Sequence, residues 1–138
     1  METRAVLFVD DDEIMLRCLE RGFLDEQFEK YFVKSGEEAL EVLRRKEVHV
    51  LVTDMCMDGM SGTELIEIVN KEYPHIVSIM LSGYAPNGDL LKAIHQEGIF
   101  RFVPKTLALD EDLKPAVQKA IDNFNLRKER EKTAVGSH

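Results

Sequence analysis

A chain of 138 residues, 44% apolar and 32% charged, has the size of one domain with a single core and the balance of a folded protein rather than a disordered or fibrous one. Its net charge of −8 argues against a nucleic-acid or anionic-membrane binder, because both need a basic footprint. The two cysteines, Cys18 and Cys56, form no CxxC pair and are too few for a four-thiolate zinc site, so both are read as free thiols in a reducing compartment.

Short solid apolar runs alternate with stretches of helical periodicity. Ala5-Val6-Leu7-Phe8-Val9 is the first run and ends in acids. Apolar residues three and four apart follow between Ile14 and Leu24 (Met15, Cys18, Leu19, Phe23). Tyr31-Phe32-Val33 is a second run, and Ser35-Gly36 opens a helix carrying Ala39, Leu40, Val42 and Leu43. Val48 to Val52 is the third run, ending at Thr53-Asp54. Ser61 with Glu64 is a capping-box pair opening a helix that Pro74 breaks. Ile76 to Leu81 is the fourth run, and a helix carrying Leu90, Leu91, Ala93 and Ile94 is expected to end at Gly98. Ile99 to Val103 is the fifth run, and the last helix carries Leu113, Ala116, Val117, Ala120, Ile121 and Phe124.

Five strands alternating with five helices predict an α/β fold: a parallel sheet covered on both faces through right-handed crossovers. Residues 1–126 are expected to form the domain. Residues 127–138 form a charged helical extension, either a solvated end or a linker, finishing in Gly136-Ser137-His138, which look like a tag remnant. The N-terminal apolar run is too short for a signal-peptide core, and no run approaches the ~20 residues of a membrane span, so a cytoplasmic location is expected.

Ligands of open α/β sheets bind beyond the carboxyl ends of the strands. Asp10, Asp11 and Asp12 follow the first run, Asp54 the third, Ser82 and Gly83 the fourth, and Lys105 the fifth. Taken singly, each has a plain reading: an acid after a strand is usually a turn or cap, and Asp12 is read as the cap of the first helix. Taken together they converge if these strands are neighbours. Asp10, Asp11 and Asp54 would then place three negative charges in one pocket, where each like pair at about 4 Å costs roughly 4 kcal/mol at an effective dielectric of 20. Mg²⁺ and Lys105 would balance them, leaving a site suited to a phosphoryl group with Asp54 as nucleophile.

Val6-Leu7-Phe8-Val9-Asp10-Asp11-Asp12-Glu13, Gly36-Glu37-Glu38-Ala39-Leu40 and Asp54-Met55-Cys56-Met57-Asp58-Gly59-Met60-Ser61-Gly62 resemble the response-regulator receiver family across nearly the whole chain. The resemblance implies a flavodoxin-like (βα)5 fold with strand order 2-1-3-4-5. It implies Asp54 as phosphoacceptor, and a Mg²⁺ site (Mn²⁺ as substitute) of Asp11, Asp10 through water, Asp54 and the backbone carbonyl of Cys56. Lys105, Ser82 and Phe102 fall on the lysine, switch-hydroxyl and aromatic-switch positions. The implied partners are a sensor histidine kinase or histidine phosphotransfer protein and a C-terminal output domain. The implied switch is the surface of the fourth helix, fifth strand and fifth helix, which also serves dimerisation; direct nucleic-acid or membrane contact is not expected.

Two departures stand out. Asp58 replaces the family's usual proline, and Thr106 replaces the proline usual after the lysine, so a trans Lys105–Thr106 bond is expected. Cys56 and Tyr84 border the expected water approach and are poor water-orienting groups, which predicts slow self-dephosphorylation. Phe102 also has the plain reading of a core residue. A rival reading sees the opening motif of dehalogenase-type phosphatases, with Asp10 as nucleophile and Asp12 as acid/base, but leaves Asp54 without a task. Another sees an interaction module that works without phosphorylation.

Overall fold

The computed structural model describes residues 3–83, 98–106 and 109–136. The five runs become β1 (Ala5–Val9), β2 (Glu29–Val33), β3 (Val50–Asp54), β4 (Val77–Ser82) and β5 (Ile99–Pro104). They form one sheet in the order β2-β1-β3-β4-β5, and every pairing is parallel. The described helices are α1 (Glu13–Gly22), α2 (Gly36–Arg45), α3 (Gly62–Glu72) and the C-terminal α4 (Leu109–Gly136). The helix expected on Leu90, Leu91, Ala93 and Ile94, and Tyr84, lie outside the described residues.

Each solid run is split between two cores, because successive strand residues face opposite sides of the sheet. Val6, Phe8, Val50, Val52, Ile79 and Leu81 pack with Leu19 and Phe23 of α1 and with Leu113, Val117 and Phe124 of α4. Leu7, Val9, Leu51 and Met80 pack with Ala39 and Leu43 of α2 and with Leu65, Ile66 and Val69 of α3. Helices therefore cover both faces, as a doubly wound sheet requires. The two edge strands depart from full burial: β2 and β5 are mostly half-buried, since each lacks a neighbour on one side.

Caps set where the helices begin. Asp12 caps α1, its side chain accepting from the N–H groups of Ile14 and Met15. Ser35 caps α2, and Ser61 caps α3 by accepting from the Glu64 N–H at 3.2 Å. Gly98, just before β5, has φ +87, a left-handed conformation that favours glycine at this entry to the strand, and it packs closely on the Asn70 side chain.

At the opposite end of the sheet from the acids, His49 ties the chain start to α4. It is 4% exposed, its Nδ1 accepts from the Ala5 N–H at 3.0 Å, and its ring meets Phe124 edge-on at 4.8 Å. The Arg4 guanidinium lies over the other partner of that contact, 4.9 Å from the Phe124 ring centre. Burial holds the His49 pKa below its ordinary value and Arg4 adds to this, while Glu47 opposes it. The unfolded chain thus binds the extra proton more readily, so the contribution of neutral His49 to stability is complete above about pH 6.5 and is lost as pH falls below it. The urea midpoint is expected to fall between pH 7 and 5, and to fall less in His49→Gln; equal slopes would contradict this role.

Candidate functional site

The carboxyl ends of β1, β3, β4 and β5 meet at one edge of the sheet because the parallel register aligns them. Asp10 follows β1 directly and extends its ladder, donating its N–H to the Val33 carbonyl at 3.2 Å. Asp54 is the last residue of β3 and pairs with Leu81, so Ser82 stands one residue further along β4. Ser82 in turn pairs with Pro104, and its carbonyl accepts from the Lys105 N–H at 2.9 Å. These backbone bonds bring the lysine to the two acids.

Lys105 Nζ lies 2.9 Å from Asp10 Oδ2 and 3.1 Å from Asp54 Oδ1. Asp10 is fully buried and Asp54 is 7% exposed, so this is a desolvated cluster rather than a surface ion pair. Burial and then the Asp10 charge push the Asp54 pKa above the ordinary carboxylate range, against the pull of Lys105. For Lys105, burial pulls the ammonium down, but its bonds to Asp10 and the charge of Asp54 outweigh this and leave its pKa raised.

Asp11 completes the pocket from its exposed rim. One carboxylate oxygen from each of Asp10, Asp11 and Asp54 lies within 4.8 Å of the others. Three carboxylates against one ammonium leave a deficit of two positive charges. Asp10 Oδ2 is buried, and among the described residues no aligned hydrogen bond serves it beyond its ion pair with Lys105. A small divalent cation with a preference for oxygen fits both facts.

The loop between β3 and α3 folds tightly over this edge. Gly62 donates its N–H to the Met55 carbonyl at 3.0 Å, and Gly59 takes φ +76. A Cβ at Gly62 would stand 2.0 Å from the Asp54 carbonyl oxygen. The loop also reaches across to β1, where Asp11 Oδ2 accepts from the Asp58 N–H at 3.0 Å. Neither contact was expected from the sequence. The signal for Gly62 was only its place beside the capping serine, and that for Asp58 was the N–H restored where the related family has proline.

The remaining expected residues are placed as follows. Cys56 is exposed on the same loop, and its carbonyl as a metal ligand still rests on the resemblance. Phe102 is half-buried on β5, pairs with Met80 and packs against the core on the α2–α3 face. The Lys105–Thr106 bond is trans. The Thr106 hydroxyl donates to Asp112 Oδ2 at 3.0 Å, which ties the loop after Lys105 to the first turn of α4. Asp12 is engaged as the α1 cap, and Asp54 sits inside the cluster; both facts disfavour the dehalogenase-type assignment.

Residues 6–118 match the response regulator receiver domain. Over 126 residues the chain is 32% identical to the hydrogenase transcriptional regulatory protein HoxA of Cupriavidus necator, an alignment covering 91% of this chain and 26% of that protein. Among solved structures it is similar to the adenylate cyclase from Rhodopirellula baltica, with TM-score 0.83 and 32% identity over 96% of this chain and 98% of that one. It is similar too to a response regulator receiver domain protein from Clostridium thermocellum, with TM-score 0.79 and 28% identity over 89% and 98% of the two chains. The chain spans about a quarter of the length of the first curated relatives it matches.

Proposed function

The chain belongs to the response regulator receiver domain family, and on that premise we propose that it accepts a phosphoryl group on Asp54 from a histidine kinase or histidine phosphotransfer protein. The observation that carries this reading is the Lys105 ammonium held between the buried Asp10 and Asp54, with Asp11 close beside them. A largely buried carboxylate that is already paired with a cation and still reachable from solvent is a competent nucleophile towards phosphorus. An Asp54 oxygen forms the new O–P bond while the donor's bond to phosphorus breaks, and the Lys105 ammonium pairs with a phosphoryl oxygen as charge builds on it.

Asp10, Asp11, Asp54 and the Cys56 carbonyl would hold Mg²⁺, or Mn²⁺ in its place, which when bound supplies the two missing positive charges and neutralises phosphoryl oxygens. The Ser82 hydroxyl, one residue beyond Asp54 on the next strand, hydrogen-bonds a further phosphoryl oxygen. Its displacement opens space into which Phe102 rotates. The surface of the expected fourth helix, β5 and α4 changes with it. Moving such a switch from 1:99 to 99:1 takes about 5.5 kcal/mol of differential stabilisation.

We read residues 1–126 as the receiver and the rest of α4 as the start of a linker to an output domain, a reading supported by the much longer transcriptional regulators that the chain resembles. Dimerisation would use the same switch surface. No described helix is long and apolar enough to cross a membrane. With acetyl phosphate and Mg²⁺ the protein is expected to gain one phosphoryl group, and to gain none when the metal is chelated. Equal uptake in chelator would refute the metal's part in the scheme.

A further inference from the structure

The Asp58 N–H bond to Asp11 joins the loop after β3 to the acid that follows β1. Asp11 is exposed, so nothing else in its burial fixes the rotamer of its carboxylate. A metal ligand that can swing pays for its immobilisation on binding. One oxygen, Oδ2, already accepts from the amide, which restrains the carboxylate and leaves its other lone pairs for a cation. Donors of this kind behind a ligating carboxylate commonly contribute 10–100-fold to metal affinity.

We propose that the backbone N–H of Asp58 is a positioning group for divalent-cation binding, orienting Asp11 through Oδ2 and linking metal occupancy to the loop that carries Cys56 and Gly59. This rests on the metal reading of the site given above. The proposal turns on the residue type in an unusual way: any side chain except proline supplies the donor, because proline has no N–H. The Asp58 side chain is exposed and is not needed for the contact. The bond therefore belongs to this chain's departure from proline at this position rather than to the acidity of the replacement.

The test is Mg²⁺ binding measured by calorimetry on the unphosphorylated protein, with wild type, Asp58→Ala and Asp58→Pro side by side. Asp58→Ala keeps the N–H and is expected to bind within a few-fold of wild type. Asp58→Pro is expected to bind about 10-fold more weakly or worse. Equal or tighter binding by Asp58→Pro overturns the proposal while leaving the metal site standing. A wild-type protein that takes no Mg²⁺ removes the metal reading itself, and this role with it. A second arm does not depend on the proline variant folding: amide exchange at Asp58 in the metal-free protein should be slow in wild type and fast in Asp11→Ala. Unchanged exchange in Asp11→Ala would also overturn the proposal.

Discussion

Gly62→Ala is expected to destabilise the protein by about 3 kcal/mol, at the upper end of what overpacking costs. Helix propensity alone points the other way, since alanine in place of glycine in a helix interior usually gains up to about 1 kcal/mol. The sign is decided by what the new methyl group would meet. It would lie 2.0 Å from the Asp54 carbonyl oxygen, 2.9 Å from the carbonyl carbon and 3.0 Å from the Met55 Cα. All three are backbone atoms of a paired strand end, where Met55 also donates to the Leu81 carbonyl. No side chain can swing aside to relieve the clash. Either the start of α3 or the end of β3 must move, and the second choice displaces Asp54 itself. Urea denaturation should show the loss, and phosphoryl uptake should slow with it. A variant as stable as wild type would mean that the close approach of α3 to β3 is not as described.

Lys105→Ala is expected to cost about 3 kcal/mol or more in metal-free protein at neutral pH, the range found when one partner of a buried ion pair is removed. Its ammonium lies within ion-pair distance of both Asp10 and Asp54, and Asp10 has no exposure through which water could replace it. The penalty has a pH signature. Asp54 already has a raised pKa, first through burial and then through Asp10, and losing Lys105 removes a group that holds it down. A carboxyl whose folded pKa lies above its unfolded one takes up protons preferentially in the folded state as pH falls, so the deficit of the variant should shrink at acid pH. Adding Asp54→Asn to Lys105→Ala should recover part of the loss, because it removes one of the uncompensated charges. A loss under about 1 kcal/mol, or one that does not change with pH, would contradict the charge balance inferred for the cluster.

Much of the fold was legible because burial on both faces of a parallel sheet writes solid apolar runs. β1 has the bounds of its run, Ala5–Val9. β3 does not: its apolar run is Val48 to Val52, whereas the strand is Val50–Asp54, with Thr53 and Asp54 continuing the ladder opposite Met80 and Leu81. Polar residues at a strand end satisfy the backbone ladder as well as apolar ones, so hydropathy alone stops two residues early. β2 begins at Glu29 and Lys30 for the related reason that an edge strand tolerates charged residues. Strand order needed the family resemblance, since periodicity carries no information about neighbours.

The site divides along the same line. Asp10, Asp54 and Lys105 could be picked out because each sits at the end of a run, and a parallel sheet gathers such ends on one side. The bond from Asp58 to Asp11 and the fit of Gly62 against Asp54 could not. Both depend on how far the loop after β3 folds back, which is set by tertiary packing and a glycine at φ +76 rather than by any local pattern.

The central claim is that Asp54 is the residue that accepts the phosphoryl group. Intact mass after brief exposure to acetyl phosphate and Mg²⁺, with wild type and Asp54→Asn side by side, tests it most directly. One added phosphoryl group on wild type and none on Asp54→Asn is the predicted result. An undiminished gain on Asp54→Asn would contradict it.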